Sequence, residues 1–349
     1  MDVDDRHALA PVHLGVAGIV IDGESYVEFS SRNDGVAKRD KAAVGWAITG
    51  PSQVRIAVHA AGGNFADILV IAGTYQYKPE IPFSPGLECA GEVIEVGDAV
   101  TKFKPGDRVM ANLHGGGYAE EAVVEESSVV AMPEGMDYVT AASFPVAYAT
   151  GAVALTHKRV DMQAGEVLLV HGAAGGVGLT AVELGKAMGA TVIATAGSDD
   201  KVALAKTYGA DYGINYSNED IREKVLEYTG GADVIYDPVG GDAFKASLRC
   251  INFEGRIIII GFASGEVPQI PTNYPLVKCF TVDGFVWGAY HRNKIDVIHD
   301  GYAGLREIWA KGALKPHISK RFPLAETGDA MRFLLARKST GKVVIETRV

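Results

Sequence analysis

A strand, a small-residue turn and a helix follow one another without a gap near the middle of the chain. Leu168-Leu169-Val170 predicts a buried strand, and the small residues after it end in Gly175-Gly176-Val177-Gly178. An apolar helical pattern then begins at Leu179. Glycines at these positions let the backbone approach a pyrophosphate, whose charge meets the free N–H groups of the helix N-terminus. Although Ala173 replaces the first glycine of the fingerprint, the unit predicts a dinucleotide site.

Strands and helices alternate after this turn, which predicts a parallel, doubly wound α/β sheet. The predicted strands are 191–195, 211–215, 234–236 and 256–260, and the predicted helices are 198–208, 218–228 and 241–251. The alternative is an α/β domain that binds no dinucleotide. We favour binding because the glycine turn lies where this fold places its ligand.

The end of the second predicted strand bears on the kind of dinucleotide. An NAD site usually carries Asp or Glu there to bind the ribose hydroxyls, but this strand ends in Ala196-Gly197-Ser198. Ser198 and Lys201 supply a donor and a cation for a 2′-phosphate. This pattern favours NADPH. Asp199 and Asp200 leave NADH open, since either could bind the ribose.

The first part of the chain has a different pattern, with short strands separated by glycine and proline turns, which predicts a mostly antiparallel domain. A length of 349 residues also favours two domains. We expect a nucleotide-binding domain at 150–288 and a second domain formed by 1–149 and 289–349. The tail should contain helices near 303–311 and 326–338 and a last strand at 342–347.

Composition excludes several classes of function. A net charge of −10 argues against a nucleic-acid surface. We found no apolar run that we expected to span a bilayer and no signal-peptide pattern, so the expected location is the cytoplasm. Cys89, Cys250 and Cys279 are too few and too widely spaced for a disulfide framework, and we expect each to be a buried apolar residue.

Several motifs together resemble those of the medium-chain dehydrogenase/reductase superfamily, in its zinc-free quinone oxidoreductase branch, which includes zeta-crystallin. The resemblance runs from about Val54 to Val344. Besides the glycine turn, its carriers are the segments 60–67, 85–91, 104–109, 116–120, 237–241 and 261–265. It implies a GroES-like catalytic domain beside a Rossmann nucleotide-binding domain, with the active site in the cleft between them. It also implies NADPH-dependent reduction of a small molecule and a homodimer joined through the nucleotide-domain sheets.

The resemblance also identifies zinc ligands of related enzymes that this chain lacks. Zinc alcohol dehydrogenases of the superfamily have a Cys at the position of Asn64 and a His at the position of Leu87, and a four-cysteine zinc lobe that three cysteines cannot form. We therefore expect no metal. Without a Lewis acid, hydride transfer to an already electrophilic quinone or α,β-unsaturated carbonyl is easier than alcohol oxidation. The alternatives are an enoyl or polyketide-type reductase acting on a tailored enone, and an NADPH-binding structural or sensing protein with little turnover.

The resemblance assigns roles to particular residues. Asn64 matches an asparagine near the nicotinamide ribose and reacting centre, where its amide could donate to a ribose hydroxyl or to a substrate oxygen; the alternative is a turn residue. Tyr75 matches a tyrosine that lines the acceptor pocket, and these two are the expected catalytic residues. The expected cofactor-binding residues are Asn64, Thr150, Gly175, Gly176, Val177, Gly178, Ser198, Lys201, Tyr216, Phe262, Phe285 and Lys342.

Each of these assignments has a plainer alternative. Thr150 could cap the helix that it opens, Tyr216 could be a surface aromatic, and Lys342 could be a surface lysine. Phe262 and the segment 285–287 match loops that hold the nicotinamide amide through backbone groups, but they could equally be core. Ala152 is a departure, because the family often has a bulky aromatic residue there. A wider pocket for a larger acceptor would follow.

Overall fold

The structure, a computed structural model, describes residues 15–16, 29–30, 49–79 and 83–348. These residues divide between two compact units. Ala147–Lys315 forms one unit, and 49–146 with 316–348 belongs to the other. The predicted domain that begins at residue 1 lies largely outside the described residues before position 49. The tail returns to the first domain only from residue 316, since residues 289–315 stay with the nucleotide unit.

The nucleotide unit contains a six-stranded parallel sheet. Its strands are β8 Val167–Val170, β9 Thr191–Ala196, β10 Tyr212–Asn215, β11 Ala232–Asp237, β12 Ile251–Ile259 and β13 Thr281–Gly284. Their order in the sheet is β10-β9-β8-β11-β12-β13. The most apolar strand, β8, lies at the centre, and the chain reverses its direction of winding between β8 and β11, so a crevice opens at their carboxyl ends. Its helices are α3 Ala149–Thr156, α4 Gly176–Ala187, α5 Asp199–Thr207, α6 Ile221–Thr229, α7 Gly241–Cys250, α8 Asn273–Lys278, α9 Trp287–Asn293 and α10 Ile295–Ala310.

The other unit is built on a seven-stranded, mostly antiparallel sheet. The strands are β3 Gln53–Gly63, β4 Glu88–Val96, β5 Arg108–Asn112, β6 Glu121–Glu125, β7 Val129–Ala131, β14 Ile318–Pro323 and β15 Lys342–Glu346. Six of them follow the order β14-β15-β3-β4-β5-β7, and the seventh, β6, pairs with β3. The interior is packed by the alternate, inward-facing residues of β3 and β4, such as Val54, Ile56, Val58 and Val93, all fully buried. Its helices are α1 Phe65–Ile71, α2 Tyr138–Ala141 and α11 Thr327–Leu335. Two-residue strands, β1 Gly15–Val16 and β2 Phe29–Ser30, pair separately.

The α/β class, the parallel nucleotide-binding sheet and the mostly antiparallel second sheet are confirmed. The sequence missed β13, β14, α1, α2, α8 and α9, and the helix predicted near 303–311 begins earlier, at Ile295.

The expectation that no segment could span a bilayer needs correction. The helical stretch Tyr138–Thr156 is long and apolar enough by length and composition alone. However, 83% of its apolar window is buried inside the protein, as in the core helix of a soluble protein, so the stretch is weak evidence for a membrane span.

Candidate functional site

The glycine turn has the geometry of an anion site. Gly172 follows β8 with a φ of +56°, and its carbonyl oxygen accepts the Gly175 N–H at 2.9 Å, which closes the turn before α4 begins at Gly176. A Cβ on Gly178 would overlap the Gly172 carbonyl group, so only glycine allows this approach of helix to strand. The first-turn N–H groups, including those of Gly176, Val177 and Gly178, have no intrahelical acceptor. This turn fits a pyrophosphate.

The end of β9 lies beside the candidate adenosine residues. Ser198 is the N-cap residue of α5, but its side chain makes no capping bond. Tyr216 is 47% exposed, and its ring lies over Gly197, where a Cβ would come within 2.9 Å of the Tyr216 hydroxyl. Asp199, one of the two possible ribose ligands, accepts a hydrogen bond from Asn215 Nδ2 at 2.7 Å. That carboxylate is therefore already engaged at the end of β10, whereas Asp200 is exposed.

The two candidate nicotinamide loops differ in burial. Phe262, after β12, is 37% exposed and lies beside Gly240, whose added Cβ would be 3.1 Å from the ring. Phe285 is buried, and its ring stacks on Tyr290 at 4.8 Å, so its side chain is core. Trp287 is also buried and packs edge-on against Tyr302.

Thr150 is buried in α3, one residue after its first residue. The alternative role as a helix cap is wrong, because Tyr148 occupies the N-cap position and is itself in helical conformation. The π-helical turn Phe144–Tyr148 leads directly into α3, so the helical backbone before Thr150 removes the free N–H groups that a cap would satisfy.

A groove of about 920 Å³ lies in the nucleotide unit among α3, α4, α9 and α10. Ala152 lies in its wall, so the small residue at this position borders open space. Gly304 of α10 also lines the groove, and a Cβ there would meet nothing within 4 Å. The other apolar lining residues are Leu184, Met188, Ala289, Val297 and Ile308.

A buried polar cluster surrounds Asn64 in the other unit. β3 ends at Gly63, Asn64 caps α1, and the antiparallel register that pairs Val343 with Gly63 brings Lys342 beside Asn64. Lys342 is only 3% exposed. The alternative of a surface lysine is therefore wrong.

Hydrogen bonds within this cluster use nearly every donor. Lys342 Nζ donates to Asn64 Oδ1 at 2.6 Å, to Glu88 Oε1 at 2.7 Å and to the Gly63 carbonyl oxygen at 3.2 Å. Asn64 Nδ2 donates to Glu88 Oε1 at 2.8 Å and to the Gly62 carbonyl oxygen at 3.2 Å. Both amide hydrogens of Asn64 and all three ammonium hydrogens of Lys342 are engaged.

Asp67 and Tyr118 form a second part of this cluster. Asp67 Oδ2 accepts the Asn64 N–H at 2.9 Å and the Tyr118 hydroxyl at 2.8 Å, and Oδ1 accepts the Gly86 N–H. In return, the Asp67 N–H donates a hydrogen bond to the Asn64 main-chain carbonyl oxygen at 3.1 Å. Burial raises the pKa of Asp67 to about 6, against these bonds.

This raised pKa predicts a pH-dependent stability. The folded chain holds the Asp67 proton more tightly than the unfolded chain, so the free energy of unfolding should fall as pH rises from about 4 to about 6 and then level off, by at most about 3 kcal/mol. Asp67→Asn should remove this fall. Urea unfolding of both proteins between pH 4 and pH 7.5 measures the two slopes. Identical slopes would contradict the assignment.

Tyr75, the expected pocket residue, lies with Tyr77 on the segment after α1. Tyr75 is half-buried, and its N–H bonds the Leu69 carbonyl oxygen at 3.1 Å. Tyr77 is 38% exposed and is tilted against His114 with ring centroids 5.7 Å apart. Both belong to the same unit as Asn64.

The remaining titratable candidates have structural roles. His171 is fully buried, with its two ring nitrogens 3.0 Å from Thr195 Oγ1 and 2.8 Å from Ser247 Oγ, and burial lowers its pKa. Cys89 and Cys250 are buried as expected, but Cys279 is exposed, because it ends α8 in a left-handed conformation. Within the described ranges, no three His, Cys, Asp or Glu side chains are grouped to hold a metal ion.

Sequence reasoning missed Glu88, Asp67 and Tyr118 as neighbours of Asn64. A signal was present for two of them. Asp67 is the third residue after an N-cap position, where a carboxylate commonly accepts the cap N–H. Glu88 interrupts small and apolar residues, which is unusual for a charge without a partner. Tyr118 gave no such signal.

Comparison with known proteins agrees with this arrangement. Residues 50–134 match the family model described as alcohol dehydrogenase GroES-like domain, and residues 176–299 match the one described as zinc-binding dehydrogenase. A quinone oxidoreductase-like protein 2 homolog from Nematostella vectensis is 44% identical over 86% of this chain and 83% of its own length. The crystal structure of Escherichia coli quinone oxidoreductase complexed with NADPH is 28% identical, with a TM-score of 0.80 over 88% of this chain and 95% of that one. CurK enoyl reductase gives the same identity, coverage and TM-score.

Proposed function

Because the chain belongs to the quinone oxidoreductase branch of the medium-chain dehydrogenase/reductase superfamily, a branch of oxidoreductases, we propose that it transfers hydride from NADPH to a quinone or an α,β-unsaturated carbonyl without zinc. The glycine turn at the start of α4 carries this proposal. It combines a left-handed Gly172, a Gly178 that admits no side chain and an open helix N-terminus. The NADPH complex of the similar Escherichia coli enzyme supports the same cofactor here.

The preference for NADPH over NADH rests on the end of β9. No carboxylate lies at the strand end, Asp199 is engaged with Asn215, and Ser198 makes no capping bond. Ser198 and Lys201 would hold the 2′-phosphate by a hydrogen bond and by charge. The ring of Tyr216 over Gly197 would cover the adenosine side.

Lys201→Ala should therefore weaken NADPH binding about tenfold and leave NADH binding nearly unchanged, because about 1.4 kcal/mol of charge-assisted bonding is lost only with the phosphorylated cofactor. Fluorescence titration of both reduced cofactors measures the change. Lys206→Ala, in the last turn of the same helix, is the matched control and should change neither constant. An equal loss with both cofactors would contradict this role.

Independence from zinc rests on the residues around position 64. Asn64 and Leu87 replace the two ligands of the zinc enzymes, and the Asn64 oxygen already binds the Lys342 ammonium at 2.6 Å. A zinc ion beside that ammonium would meet repulsion in a buried site.

The chemistry follows from what the chain can and cannot supply. Bound NADPH supplies a hydride at C4 of its nicotinamide. The protein's own residues would hold and orient the reactants: the α4 N-terminus would fix the pyrophosphate, and backbone groups near Phe262 and Phe285 would hold the carboxamide. Tyr75 would line the acceptor pocket and exclude water. A conjugated acceptor spreads the incoming charge onto its oxygen, so a proton from water can follow later.

The groove at Ala152 favours acceptors with an apolar extension, since its volume matches that of pockets that hold ligands of drug size. Gly304→Leu should raise the KM for a quinone with a decyl tail about tenfold, because about two tail methylenes lose their contact, and should not change the KM for tail-free benzoquinone. Ala303→Leu, at the exposed neighbouring position outside the groove lining, is the matched control. If the wild-type KM does not depend on the length of the tail, this part of the proposal is wrong.

A second candidate function is reduction of a tailored enone, such as an acyl thioester. The similarity to CurK enoyl reductase and the groove beside α3 favour it. The same candidate residues serve both reactions, so only substrates distinguish them.

The test is NADPH oxidation followed with quinones, simple enones and acyl thioester enones. The proposal expects turnover with the first two classes; turnover with the thioesters alone supports the second candidate. Tight NADPH binding with no oxidation by any acceptor would indicate a structural or sensing protein instead.

We also propose a cytoplasmic homodimer. The free thiol of Cys279 suits a reducing compartment. Among the strands that the structure describes, β13 is the last of its sheet and pairs with β12 alone, so its other edge can pair with a second copy. Light scattering would give the mass, and Val282→Pro, in the middle of this edge strand, should shift a dimer to monomer.

A further inference from the structure

We propose that Glu88 and Lys342 are positioning residues, which hold the Asn64 carboxamide in one orientation so that it offers a bound ligand an oxygen acceptor and no N–H donor. This inference rests on the proposed function, in which Asn64 meets the nicotinamide ribose. It identifies the ribose hydroxyl as the group that Asn64 binds, and it excludes a hydrogen bond from Asn64 to the acceptor's carbonyl oxygen.

The orientation follows from the partners of each atom. An asparagine amide has two N–H bonds and a carbonyl oxygen with two lone pairs. Nδ2 faces two acceptors, Glu88 Oε1 at 2.8 Å and the Gly62 carbonyl oxygen at 3.2 Å. Oδ1 faces the Lys342 ammonium at 2.6 Å. A flipped amide would place N–H bonds against the ammonium and the oxygen against two acceptors, which loses every one of these bonds.

The two positioning residues are themselves fixed. The second carboxylate oxygen of Glu88, Oε2, accepts the Val146 N–H at 2.8 Å, and both charged side chains are buried, at 0% and 3% exposure. A side chain at position 62 would overlap Glu88 Oε1 and the Ala142 carbonyl oxygen, so Gly62 leaves the space that the cluster fills. Because all three Lys342 hydrogens bond within the cluster, Lys342 would act through Asn64 and not as a direct contact to a cofactor phosphate.

The remaining bonding capacity of Asn64 decides what it can recognise. Both hydrogens are engaged, so only Oδ1 can take a further hydrogen bond, and that bond must come from a donor. A ribose hydroxyl is such a donor, whereas the carbonyl oxygen of a quinone or enone is not. Any hydrogen bond to the acceptor's oxygen would therefore come from a group other than Asn64.

Three variants test the roles of Asn64 and Lys342, with the NADPH dissociation constant as the readout. Asn64→Leu removes the Oδ1 acceptor and should raise the constant at least tenfold. Lys342→Met should also raise it about tenfold without touching the cofactor, and Lys342→Arg should recover part of the loss. Binding of adenosine 2′,5′-bisphosphate, which lacks the nicotinamide ribose, should not change in any of them.

Met331→Ala is the control for loss of stability alone, since Met331 is fully buried in the same unit but outside the cluster. It should lower the melting temperature and leave the NADPH constant unchanged. An unchanged constant in Asn64→Leu would show that Asn64 does not bind the cofactor, and an unchanged constant in Lys342→Met would remove the positioning role. If wild-type protein binds no NADPH, the proposed function itself fails, which is a different result.

Discussion

Gly178→Val is expected to raise the NADPH dissociation constant by at least a hundredfold while the protein remains folded. A Cβ at this position overlaps the Gly172 carbonyl group, so α4 must move away from the end of β8. The first-turn N–H groups then no longer converge on the pyrophosphate, and the charge-assisted bonds to it are lost together. Fluorescence titration measures binding, and circular dichroism checks the fold.

Gly175→Ala is the matched control for this prediction. Its nearest contact would be the Gly172 carbonyl oxygen at 3.2 Å, and Gly175 has no positive φ. A small adjustment of the turn can accommodate the methyl group, so the loss should stay below about tenfold. If Gly178→Val bound NADPH as tightly as the wild type, the phosphate site would have to lie elsewhere.

Glu88→Leu is expected to lower the free energy of unfolding by about 3–5 kcal/mol, because it leaves the Lys342 ammonium buried without its carboxylate. The double variant Glu88→Leu/Lys342→Met should be more stable than Glu88→Leu alone, since removing both charges also removes the unpaired one. Urea unfolding of the four proteins measures the coupling between the two side chains.

A surface ion pair gives the comparison for this prediction. Arg55 and Glu95 lie 2.6 Å apart but are partly exposed, and Glu95→Leu should change the free energy of unfolding by less than about 1 kcal/mol. Additive effects of the Glu88 and Lys342 substitutions would show that the two charges do not depend on each other.

The fold was predictable wherever one local pattern determines an element. β8, β9 and β11 are buried strands with apolar sequences, and α4, α5 and α6 each end within two residues of a glycine. β13 and β14 were missed because edge strands expose most of their residues and show no apolar alternation. Their pairing depends on neighbours that are distant in the chain, which no local window can show.

Only part of the candidate site was predictable, again because a local window of sequence cannot show contacts between distant residues. The glycine turn is a continuous segment, and its strand, turn and helix appear in one window of sequence. The cluster around Asn64 is discontinuous: Lys342 reaches Asn64 across a separation of 278 residues. From the sequence alone, a lysine close to the C-terminus is expected at the surface. Only the register of β15 on β3 places it beside Asn64. The orientation of the Asn64 amide depends on that contact, so it required the structure.

Transfer of label from deuterated NADPH tests the central claim most directly. NADPH carrying deuterium at C4, in separate samples for each face of the ring, should be incubated with the protein and an α,β-unsaturated ketone in the presence of a zinc chelator. One of the two samples should deliver deuterium to the β-carbon of the product, at the same rate with and without the chelator. A product without deuterium from either sample, or turnover that the chelator abolishes and zinc restores, would contradict metal-free hydride transfer from NADPH.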